Sequence, residues 1–146
     1  MSFVVFDYTS SPIIHVYMNN TLESDDEFNR FLDEWLLVYS GKYPFVYVFH
    51  AENVGFIPIK YAFSVAAFIR RYRVQTEKYL QKSIIIVDNS YVRYMIDLIF
   101  YIQSPFSDVY VTKYPFLVDD LLKNDYRKSS FDYDFISSAA RPFPFL

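Results

Sequence analysis

Any metal or general-base chemistry in this chain has to draw on two histidines, His15 and His50, because the sequence holds no cysteine and so no thiolate ligand or disulfide. His50 is the better placed. It follows the apolar run Phe45-Val46-Tyr47-Val48-Phe49 and opens the polar stretch His50-Ala51-Glu52-Asn53. Open α/β sheets gather ligands beyond the C-terminal ends of their parallel strands. His50 and Glu52 are therefore the candidate acid/base or ligand pair, with Asn53 beside them as a further ligand-binding candidate. The same residues also suit a polar loop that caps the next helix. A metal site needs three or more ligands, and no HExxH or comparable spacing occurs, so no metal is assigned. His15 lies between Ile14 and Val16 and reads as a hydrogen-bonded strand residue.

Other chemistries find fewer residues. There is no GxSxG nucleophile motif, and two glycines in the whole chain cannot build a phosphate cradle. Asp25, Asp26 and Glu27 read as a helix start, Asp88-Asn89-Ser90 as another, and Asp119-Asp120 fall on a short last helix. Lys60, Arg70, Arg71, Arg73, Lys78 and Lys82 form a basic cluster that reads as a solvated face. No catalytic residue and no cofactor is assigned, and the chain is expected not to be an enzyme.

These residues need a scaffold, and its pattern is clear. Residues 3–8 and 13–17 are β-branched and aromatic and flank a Thr-Ser-Ser-Pro turn, so they read as an opening hairpin. Ser24-Asp25-Asp26-Glu27 is a capping box for a helix over 25–40, with Phe28, Phe31, Leu32, Trp35 and Tyr39 at helical spacing. Gly41 stands as its C-cap, and Pro44 forbids continuation. A third strand spans 45–49, apolar at every position as in a strand covered on both faces. A second helix starts near Pro58 and carries Tyr61, Val65, Phe68, Ile69 and Tyr72. A fourth strand over 84–87, a third helix bearing Val92, Met95, Ile96 and Ile99, a fifth strand over 108–112 and a short helix from Pro115 to about 123 complete the series.

The reading is an α/β domain over residues 1–123 with the order ββαβαβαβα and a five-stranded mixed, largely parallel sheet. Residues 124–146 show no helical or strand pattern yet carry six aromatics, too many for a polar linker.

The order, the apolar third strand followed by a loop and a long helix, and the stretch YLQKSIIIVDNSYVRYMIDLIFYIQSPFSDVYV together resemble the STAS-like superfamily. That is the fold of bacterial anti-sigma-factor antagonists and of the cytoplasmic domains of sulfate transporters. The CRAL-TRIO lipid-binding fold has a similar alternation. The resemblance implies a compact module that binds a partner. It implies no phosphorylation switch here, because the turn over residues 50–55 has no Ser or Thr.

Composition agrees with a partner-binding role. Aromatics make up 22% of 146 residues, and an exposed apolar patch marks an interaction site. The net charge of -3 disfavours general nucleic-acid binding. No apolar run reaches the ~18 residues of a spanning helix, and the N-terminal stretch lacks the basic region of a signal peptide, so an intracellular location is expected. The expected function is a non-enzymatic protein–protein interaction or scaffold module, a homo-oligomer that self-associates through aromatic surface and tail. Phe131, Tyr133, Phe135, Phe143 and Phe145 are its expected anchors. The alternative is a small-molecule or lipid-binding domain with an internal apolar pocket lined by helices two and three.

Overall fold

The computed structural model describes residues 3–139 apart from 21, 23 and 77. Its strands are β1 (Val4–Asp7), β2 (Ile13–Asn20), β3 (Phe45–Val54), β4 (Leu80–Ile86), β5 (Asp108–Thr112) and β6 (Tyr133–Ile136). Its helices are α1 (Asp25–Tyr39), α2 (Lys60–Thr76), α3 (Ser90–Ile102) and α4 (Val118–Lys123), the last preceded by a 3₁₀ turn over Pro115–Leu117. The six strands lie side by side in chain order, β1-β2-β3-β4-β5-β6. The central pairs β2–β3, β3–β4 and β4–β5 are parallel, and β1 and β6 close the two edges antiparallel. The α/β class and the mixed, largely parallel sheet stand as expected.

Several details of the sequence reading change, among them that β2 runs on to Asn20 and β4 begins at Leu80, four residues before its expected start. The sheet has a sixth strand, inside the segment expected to lack regular structure. That strand is bound in several places: it is laddered to β5, Thr112 Oγ1 donates to Asp132 O at 2.9 Å, and Arg93 reaches the Asp134 carboxylate at 2.7 Å. Next, β3 does not stop at Phe49 but runs five residues further, to Val54. Last, Gly41 is not the left-handed cap of α1. Ser40 is the cap and stays right-handed, while Lys42 takes the positive φ of 56°. Gly41 is needed for space instead: a Cβ there would stand 2.4 Å from Cε1 of Tyr43.

The capping box forms as the sequence dictates, with the Glu27 amide donating to Ser24 Oγ at 3.2 Å. It fixes the start of a helix whose Phe28, Phe31 and Trp35 turn onto the sheet. Helices α1, α2 and α3 all cover one face. Trp35 sits at the centre of that core, with ring centroids 4.9 Å from Phe68, 5.4 Å from Phe31, 5.6 Å from Phe49 and 6.0 Å from Phe106. Such tilted and edge-on pairs add to area burial. The aromatic excess of the sequence is spent largely here. Tyr47 is fully buried, and its hydroxyl donates to Trp35 O at 3.0 Å, which satisfies the one polar atom it brings inside.

The opposite face of the sheet is covered over part of its width only. There Leu121 of α4 packs with Val48, Ile84, Ile86 and Tyr110, and Tyr133 and Phe135 of β6 pack alongside. Lys82 holds this layer down. It is buried, and its ammonium donates to Leu121 O at 3.0 Å, to Asn124 O at 3.0 Å and to Asp125 Oδ1 at 2.8 Å. Those three acceptors match its three donors, and a cation at a helix C-terminus is favourably placed.

Candidate functional site

The continuation of β3 past Phe49 decides where the candidate residues lie. Through Glu52 the backbone keeps its two-residue alternation, so Ala51 turns into the helix-side core while His50 and Glu52 turn to the other face; a register shift between Tyr17 and Asn19 of β2 then returns Val54 to the helix-side core. His50 is therefore a strand residue and not part of a strand-to-helix turn. Asn53 is exposed and pairs across the ladder with Asn19. A crevice at the C-terminal strand ends also has no topological basis here. Ligand crevices of open sheets form where the strand order reverses, and this order runs from β1 to β6 without reversal.

What the fold does bring together is the two histidines. Parallel pairing sets Tyr17 directly opposite His50, and His15 opposite Val48. Antiparallel pairing with β1 sets Asp7 opposite His15 and Val5 opposite Tyr17. His15 Nδ1 lies 2.8 Å from His50 Nε2, a hydrogen bond between rings. Tyr17 stacks on His50 at 4.4 Å between centroids with 16° between planes. Glu52 Oε1 stands 3.8 Å from the other nitrogen of His50, Nδ1. A carboxylate beside Nδ1 favours the proton there, which leaves Nε2 to accept from His15 Nδ1–H.

Electrostatics keep His50 uncharged. Burial, and secondarily the neighbouring His15, lower the His50 pKa from 6.5 to about 4. His50 is neutral at neutral pH, so its contact with Glu52 is not an ion pair. Asp7 is held below the ordinary carboxylate range by the Thr9 amide and then the Thr9 hydroxyl, with a smaller effect from His15. Among the described residues no group of three or more His, Asp or Glu is placed to hold a metal ion. The pair can pass a proton along His15–His50 or offer donors and acceptors to a partner.

The basic cluster of the sequence disperses in space. Lys60 pairs with Asp25 at 3.2 Å. Arg70 Nε donates to Gln103 Oε1 at 3.1 Å, and Arg73 donates to the carbonyls of Ser104 and Pro105, tying α2 to the segment before β5. Lys82 is not part of a solvated face but the buried clamp on α4.

The expected interface anchors divide. Tyr133 and Phe135 lie on β6, with rings 5.9 Å and 5.3 Å from the ring of Tyr110. They are used within the chain. Phe131 is fully exposed. Phe143 and Phe145 lie outside the described residues.

Half of the second sheet face is left uncovered, beside the opening hairpin. Beyond the reach of α4, Val5 is 49% exposed and Tyr17 38% exposed, with His50 between them and the α4 layer and His15 two residues from Tyr17 along β2. The signal was present in the alternation of residues 13–17, where Ile14 and Val16 point one way and Ile13, His15 and Tyr17 the other. No helix among the described residues is long and apolar enough to cross a membrane. No protein-family model, curated protein or solved structure matches this chain.

Proposed function

We propose that this chain is a non-enzymatic interaction module of STAS-like type that associates with a second copy of itself through the uncovered half of its sheet. The observation that carries the reading is the layering. Three helices cover one face, α4 covers the β4–β6 side of the other, and Val5 and Tyr17 are left on a flat strand surface. Exposed aromatic and aliphatic side chains grouped on one face mark association surfaces, and a two-fold contact needs only one such patch, present on both copies. His50 supplies a neutral ring at its middle, hydrogen-bonded to His15, where a charged residue would cost desolvation. The STAS-like reading rests on the ββαβαβαβα order through residue 123.

Sedimentation velocity of the full chain tests this. The native protein is expected to sediment as a dimer at about 100 μM, for a Kd on the order of 10 μM. Tyr17→Lys combined with Val5→Lys is expected to give a folded monomer. A native protein that stays monomeric up to ~1 mM, the weak end of specific association, overturns the reading.

A further inference from the structure

On the other side of the sheet, away from the proposed association surface, the helix layer does not close fully over the strands. A cavity of about 130 Å³ lies between α1, α2, α3 and the sheet, lined by Met18, Trp35, Ala62, Met95 and Ile96 among others. Its walls are almost wholly apolar. One polar group among them is Ser107, whose hydroxyl is buried and has no hydrogen-bond partner among the described residues. An unpaired buried hydroxyl costs free energy, and native proteins keep few of them. Ser107, with Leu80 and Phe106, is also shared with a polar surface cleft lined by Arg73, Lys78 and Asp108. The hydroxyl therefore sits where the apolar chamber meets the outside.

We infer that this cavity is a binding site for a compact apolar molecule bearing one hydrogen-bonding group, with that group on Ser107 Oγ. Size sets the class. An apolar protein cavity of about 150 Å³ accommodates a benzene ring, so this one takes a single ring or a short branched chain, not a long acyl chain. Chemistry sets the orientation. The ligand's hydrocarbon body fills the space under Trp35, and its hydroxyl or carbonyl faces Ser107 near the cleft through which it enters. Binding gives Ser107 its missing partner and gives the lining side chains the dispersion contacts a void denies them.

Phenol and benzene are the probes, one with the polar group and one without, titrated into the full chain labelled with ¹³C at methionine methyls. Met18 and Met95 both line the cavity, so both resonances are expected to shift saturably with either compound. Phenol is expected to bind roughly fivefold tighter than benzene, the scale of one hydrogen bond. Ser107→Ala is expected to remove that preference while leaving benzene affinity unchanged. Ala62→Leu is expected to abolish both shifts by filling the space. Absence of a saturable shift at either methyl, or equal affinity for the two rings in the native chain, overturns the proposal.

Discussion

Replacing Lys82 by methionine tests how the second layer is held. The side chain is similar in length and stays apolar, so the change removes the ammonium with little loss of packing. It leaves Leu121 O and Asn124 O without their partner, each having accepted a charged hydrogen bond at 3.0 Å. Bonds to charged groups are worth about 1.5–3 kcal/mol each, so two give roughly 3–6 kcal/mol. These figures are net of desolvation, so the expected loss is about 3 kcal/mol or more, roughly 1.5 M or more in the urea midpoint for a domain of this size. The third partner behaves differently. Asp125 is 79% exposed, so Asp125→Asn should cost at most about 0.5–1 kcal/mol. The assay is urea unfolding followed by fluorescence of Trp35, the single tryptophan, with hydrogen exchange of the α4 amides as the local readout. If Lys82→Met is as stable as the native chain and α4 protection is unchanged, the clamp is not what holds this layer.

Two further predictions concern pH and sterics. His50 has a folded pKa near 4 against 6.5 unfolded, so between these values the unfolded chain binds the extra proton and stability falls on acidification. The stability of the native chain from urea unfolding should drop between pH 7 and pH 4.5 by roughly 1–2 kcal/mol more than that of His50→Phe, after allowing for screening at a partly exposed site; equal drops would remove His50 as the cause. Gly41→Ala should cost about 1–2 kcal/mol through collision with the Tyr43 ring. In a Tyr43→Ala background it should cost nothing in thermal unfolding, and a cost that persists there would point to the backbone instead.

The parts legible from sequence were those governed by local rules. The capping box, the first helix and the fifth strand lie where the residues place them, because caps, periodicity and proline act over a few positions. The end of β3 was missed because its last residues include the exposed polar pair Glu52-Asn53, where the ladder shifts register and the alternation breaks. A strand with one solvated side looks like a turn when only its hydrophobicity is followed. The strand β6 was legible in principle. Phe131, Tyr133 and Phe135 alternate with Asp132 and Asp134, a period of two that marks a half-buried edge strand. Reading the aromatics as loose anchors hid it. The histidine pair was not legible. It depends on the parallel register of two strands separated by the whole of α1, and no local feature of His15 or His50 encodes that register.

The unreversed order of the strands has a consequence for how the protein is made. Each strand pairs with the one synthesised just before it, so the sheet can be assembled in step with translation, one crossover at a time. The two faces then mature at different moments. The helix-side core gains a layer with every crossover. Val48, Ile84 and Ile86 on the other face wait for residues 118–136, the last described elements to leave the ribosome. Until then the nascent chain carries a bare aliphatic strip beside an unpaired β5 edge, and that is the interval in which it most needs shielding from its neighbours.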